Sequence, residues 1–236
     1  MKGKLFLIPT TLGDSNPLDV LPISVKSIIE STTHFIVENE KTARRFIKQI
    51  CPDKLQAELV LYPLNKRVTT IETNNYLDVC NEGVNVGLLS EVGVPAIADP
   101  GAVIVALAHK NNIRVKPLVG PSSILLAMMS AGFNGQNFAF NGYLPIDEKD
   151  RKNVLKKIER QSRENDQSQI FIETPYRNDK MFLSLLKVLQ NDTMLCIASD
   201  ITLNNEFIRT LSIQEWRKAK QPILHKRPTI FIIHRN

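Results

Sequence analysis

Short apolar runs alternate with stretches whose apolar residues recur at helical spacing. Leu5–Ile8 reads as a strand, Leu18–Ser31 as a helix and Phe35–Val37 as a second strand. Lys41–Ile50 reads as a helix that ends before Pro52. Val60–Leu61 is a short strand and Ile71–Asn81 a helix; the buried strand Val84–Leu89, a helix over Ala102–Asn111 and a strand around Val115 follow. This βα alternation predicts a mostly parallel sheet with helices on its faces.

The pattern changes after Pro117. VGPSSILLAMMSAGF (119–133) is a loop entering a strongly apolar helix, with Ser122 and Ser123 where N-cap residues belong. FAFNGYLP (138–145) is strand-like, and 149–163 forms a charged helix. Strands are then expected at Gln169–Glu173, Met194–Ala198, Phe207–Ser212 and Thr229–His234. Their closer spacing predicts a second domain with more antiparallel pairing. The expectation is two α/β domains, residues 1–117 and 118–236, with the boundary near Lys116–Val119.

The segment SEVGVPAIADPG (90–101) leaves its strand through Gly93, Pro95, Pro100 and Gly101, a rigid loop with little side-chain bulk. The carboxyl end of a parallel strand is where an open α/β sheet places its ligand. Glu91 and Asp99 add two acids. A net charge of +6 favours an anionic partner, although Arg151, Lys152, Lys156, Lys157, Arg160 and Arg163 also read as the wet face of one helix. The odd count of three cysteines, with no CxxC, points to neither a disulfide framework nor zinc, and to a reduced cytoplasm. No apolar run is long enough for a membrane span. GxGxxG, GxxxxGK[ST] and HExxH are absent, and the four histidines are scattered.

Five segments in order carry a resemblance: LFLIPTTLGD (5–14), SEVGVPAIADPG (90–101), VGPSSILLAMMSAGF (119–133), NGYLP (141–145) and FIETPYR (171–177). Together they resemble the tetrapyrrole-methylase-like (class III) family of S-adenosylmethionine-dependent methyltransferases. They are most similar to its ribosomal RNA small-subunit methyltransferase I branch, which methylates a cytidine ribose 2′-oxygen. The chain departs from that branch at Asn39 and Lys41, at Glu91 in place of Asp, and at Ser199 and Leu203, where the branch has basic residues.

The resemblance implies a cleft between the two domains holding S-adenosylmethionine. Its contacts would be Leu12, Glu91, Gly93, Val94, Ser123, Ile124, Tyr143, Ile172, Ala198, Pro228 and Thr229. Glu38, Glu173 and Arg177 are the candidates for the acceptor side, with Arg177 able to grip a phosphate or to pair with a nearby acid. No general base and no metal ligand is nominated. The implied function is methylation of a ribose oxygen in ribosomal RNA by a cytoplasmic homodimer. A tetrapyrrole or other small-molecule acceptor is the rival, and a non-catalytic RNA-binding module on the same fold is a third reading.

Overall fold

The computed structural model describes residues 2–64 and 73–235. The chain forms two compact units, Met1–Ser122 and Ser123–Asn236. Residues 118–122 stay with the first unit: the Leu118 amide donates to Leu7 O, and a Cβ on Gly120 would collide with the Pro9 ring. The division therefore falls five residues beyond the expected one.

In the first unit, β1 (Lys4–Ile8), β2 (His34–Val37), β3 (Val60–Pro63), β4 (Val86–Leu89) and β5 (Arg114–Pro117) make an all-parallel sheet in the order β3-β2-β4-β1-β5. Alternate side chains enter opposite faces. Phe6, Ile8, Phe35 and Val37 meet Val25 and Ile29 of α1 (Ile23–Ser31) and Ala43 and Ile47 of α2 (Glu40–Ile50). Leu5, Ile36 and Leu88 meet Ile104 and Ala108 of α3 (Ala102–Lys110).

Two expectations here need correction. The helix expected from Leu18 begins at Ile23, because Pro17 opens a separate 3-10 turn and Pro22 directly precedes the helix. Of the helix expected over 71–81, residues 71 and 72 lie outside the described residues; the later part is a turn and a 3-10 helix, Asp78–Glu82. Asn39 caps α2, its side chain accepting from the amides of Lys41 and Thr42, so the departure from the branch's Asp keeps the capping oxygen.

The second unit has a mixed sheet ordered β6-β7-β10-β8-β9, from β6 (Phe138–Tyr143), β7 (Ser168–Ile172), β8 (Met194–Ser199), β9 (Phe207–Ser212) and β10 (Thr229–His234). Only β6 and β7 pair in parallel. The apolar helix α4 (Ser123–Ala131) lies against β9 and β10, and α5 (Glu148–Asn165) against β7 and β10. Two helices escape the sequence pattern, α6 (Asn178–Val188) and α7 (Ile213–Lys218). They supply Phe182, Leu185, Ile213 and Trp216 to a core shared with Leu155, Phe171, Ile197 and Phe231. Trp216 is buried, stands edge-on to Phe182 and donates its indole N–H to Leu195 O at 2.9 Å.

Arg151 corrects the reading of α5's basic residues as a wet face: it is 3% exposed. Its guanidinium donates to the carbonyls of Pro145 and Ile146 and to Ser184 Oγ, tying the start of α5 to α6. Among the described residues no helix is long and apolar enough to cross a membrane.

Candidate active site

Three acids meet at the carboxyl edge of the parallel sheet. Glu38 follows β2, and Glu91 and Asp99 lie in the loop after β4. Burial raises the Glu38 carboxyl to about 7, assisted by the charge of Asp99, a hydrogen bond to Asp99 and the charge of Glu91. Such a group is half ionised at neutral pH, which suits a proton acceptor.

Asp99 also folds the loop. Its Oδ1 accepts from the amides of Gly101 (3.0 Å) and Ala96 (3.4 Å), and its Oδ2 lies 3.1 Å from the Ser90 hydroxyl. Ala96 and Ala98 adopt left-handed φ values of 67° and 57°, uncommon for residues with a Cβ. Asp99 is absent from the expected site set. The Asp-Pro-Gly run is the signal that marks it, since Asp turns bind the backbone two residues on. Glu91 is exposed and accepts from Thr42 Oγ1 of α2 at 2.5 Å.

Gly93 is buried with φ 73°. A Cβ there would stand 3.0 Å from Leu12 Cδ2 and 3.2 Å from Pro121 O. The left-handed φ and the protein's own packing both require a glycine here. Leu12 is buried, and Val94 lines an apolar recess of about 360 Å3 with Leu7, Pro95, Ile97 and Leu118. Leu12, Glu38, Glu91, Gly93 and Val94 thus share one region of the first unit.

In the second unit the remaining residues fall into two groups. The sheet register aligns Tyr143 with Ile172, Ile172 with Ile230, and Ile230 with Ala198, so three expected residues stand in one row across four strands. Pro228 and Thr229 lie at the start of β10 beside this row. Tyr143 is 61% exposed, whereas Ala198 is fully buried. Thr229 is buried too; its hydroxyl donates to Arg227 O and receives from Ser199. Ser199, one of the departures from the branch, is therefore part of a buried hydroxyl pair. Ser123 and Ile124 are half-buried at the start of α4.

Glu173 and Arg177 follow β7. Arg177 Nη2 donates to Glu173 Oε1 at 2.6 Å, and the Thr174 amide donates to the same oxygen. Burial pushes the Glu173 carboxyl up, but the Arg177 hydrogen bond, the Thr174 amide and the Arg177 charge outweigh it and hold the group below its ordinary value. Of the two roles open to Arg177, the acid partner is the one occupied here.

No protein-family model matches the chain. Its sequence is 25% identical to ribosomal RNA small subunit methyltransferase I of Buchnera aphidicola subsp. Schizaphis graminum, over 98% of this chain and 78% of that protein. It is 28% identical to the protein of the same name from Thermotoga maritima, over 88% of this chain and 87% of that protein. Among solved structures it is similar to the methyltransferase CobJ, with a TM-score of 0.64 and 17% identity over 98% of this chain and 94% of the other. It is also similar to uroporphyrin-III C-methyltransferase from Thermus thermophilus complexed with S-adenosylhomocysteine, with a TM-score of 0.56 and 13% identity over 98% and 97%. Identities this low to the solved structures speak for the fold alone. In sequence the chain is thus similar to proteins named ribosomal RNA small subunit methyltransferase I, and in fold to tetrapyrrole methyltransferases, in line with the resemblance that its five segments carry.

Proposed function

We propose that this protein is an S-adenosylmethionine-dependent methyltransferase whose acceptor is a ribose 2′-oxygen of ribosomal RNA. The observation that carries the reading is the agreement of relatives spanning most of the chain on one ribosomal RNA activity. The cofactor's presence in a solved protein of the same fold supports S-adenosylmethionine as the donor.

The residues of loop 90–101 fit that cofactor. Gly93, Val94, Ala96 and Ala98 bring main chain close to a ligand, and Val92 and Ile97 leave apolar surface for it to cover. When bound, the cofactor supplies an electrophilic methyl group on a sulfonium. The protein's task is to orient the acceptor and receive its proton, because a ribose hydroxyl is a poor nucleophile until that proton has a destination. Glu38 is the group suited to receive it, at Oε, with Asp99 holding the carboxyl in place.

The experiment is to incubate the purified protein with unmethylated small-subunit ribosomal RNA and S-adenosylmethionine, then map 2′-O-methylation by mass spectrometry. A new methyl group on one ribose is expected. A rival reading with a tetrapyrrole acceptor draws on the solved neighbours and on Leu203, where a basic residue stands in the branch. Methylation of a uroporphyrin with none on RNA would favour it. A ribosomal RNA substrate also implies the cytoplasm. Leu125 and Met129, exposed one turn apart on α4, suit a homodimer, which light scattering would register as twice the chain mass.

A further inference from the structure

A second recess of the first unit, of about 730 Å3, lies beside Glu91, where β1 and β4 end against α2. One residue lining it is Thr10, 3% exposed, whose hydroxyl has no hydrogen-bond partner among the described residues. A buried hydroxyl without a partner is costly to the fold, and such groups find their partner in protein, ordered water or a bound ligand. The second lining acid is Asp14.

The α2 side differs in chemistry. Thr42, Arg45 and Lys48 line the recess at a spacing of three, which places them along one side of the helix. Arg45 is exposed and forms no ion pair among the described residues. Lys48 is exposed and donates to Pro52 O. Carboxylates and an unsatisfied hydroxyl recognise sugar hydroxyls; a guanidinium and an ammonium recognise phosphate. The two kinds of group in one cavity match a ligand carrying both.

We propose that this recess seats one ribonucleotide unit of a single-stranded RNA, with Thr10 and Glu91 taking sugar hydroxyls and Arg45 and Lys48 taking the adjoining phosphate. The assignment rests on the reading above for its choice of RNA over a free sugar phosphate. It adds Arg45 and Lys48, which neither the motifs nor the resemblance single out, and gives Thr10 a role of its own. The 2′-hydroxyl is what separates RNA from DNA, so hydroxyl recognition here makes the protein prefer RNA.

The test is fluorescence anisotropy with a short labelled single-stranded RNA, the DNA of the same sequence, and cytidine 5′-monophosphate as competitor, repeated across salt concentrations. Arg45→Gln is expected to weaken RNA binding and to flatten the salt dependence by about 0.7 in log–log slope, the value of one lost single-strand phosphate contact. Thr10→Val is expected to lower RNA affinity by roughly two- to tenfold, the worth of one hydrogen bond. The same change should narrow the preference over DNA without lowering the melting temperature, since the hydroxyl supports nothing in the free protein. Variants that match the parent in RNA affinity, slope and RNA preference overturn the seat while leaving the methyltransferase reading intact. Cytidine monophosphate binding as tightly as the RNA also overturns it, in favour of a free nucleotide. If the parent binds no RNA, the seat and the RNA acceptor fall together; calorimetry with S-adenosylhomocysteine then reports whether the cofactor half of the reading survives.

Discussion

Substitution acts on stability in opposite directions at Glu38 and at Gly93. Glu38 has a folded value of about 7 against an ordinary 4.5, so the native state holds more protons between those values. Stability therefore falls as pH rises from about 4.5 to about 7, and Glu38→Gln removes that loss. The variant should be more stable than the parent at pH 8, by about 1 kcal/mol once solvent screening of a half-buried group is allowed for, with no difference at pH 4. Chemical denaturation at the two pH values measures this. Activity should move the other way. Replacing a general base costs about 10²–10⁴-fold in rate, and the parent's rise in rate through pH 7 should vanish in Glu38→Gln. At Gly93 the φ of 73° and the 3.0 Å approach to Leu12 mean that Gly93→Ala strains the free protein. A loss of about 1–2 kcal/mol is expected in thermal unfolding without any ligand present.

Among the elements, Arg151 offers the sharpest expectation. It is buried on α5 with no ion pair among the described residues, yet it holds two carbonyls and the α6 side chain of Ser184. Arg151→Ala should cost about 2–4 kcal/mol in denaturant unfolding, while Lys152→Ala on the exposed side should stay within about 0.5 kcal/mol. The same residue explains one limit on reading this sequence. Periodicity located α5, and it placed Arg151 among the wet residues, because a buried arginine is betrayed only by carbonyls brought in from the preceding loop. Strands β1, β2, β4 and β10 were legible as apolar runs, since a strand flanked by neighbours on both sides has no reason to alternate. The two unforeseen helices left signals of different strength. Ser212 and Glu215 form a reciprocal capping box at the start of α7, a spacing visible in the sequence. Met181, Phe182 and Leu185 of α6 and Leu189 at its C-cap recur at helical spacing, but Leu183 and Leu186 fill in the stripe and blur it. The candidate site divided in the same way. Glu91, Gly93 and Asp99 lie on one motif and Thr10 on another, whereas Arg45 acquires meaning only from the fold that brings β1, α2 and the 90–101 loop to one edge.

At the scale of the whole molecule, each unit has its own core: one cluster fills the second unit, and two clusters flank the first unit's sheet. The division at Ser122–Ser123 follows this arrangement. The +6 charge belongs to this scale as well, because long-range attraction of a polyanion is set by the summed field. Ribosomal RNA should therefore associate more slowly as salt is raised, a change that stopped-flow mixing would record. Trp216, the chain's one tryptophan, gives the two-unit architecture an optical consequence. Its ring is sealed against Phe182 and hydrogen-bonded to Leu195, so the native protein should emit at the short wavelengths of a dry indole. Excited at the red edge of its absorption, the protein reports in one colour on the second unit's core. Melting of the parallel sheet, which carries no indole, should pass unseen in that channel while circular dichroism registers both.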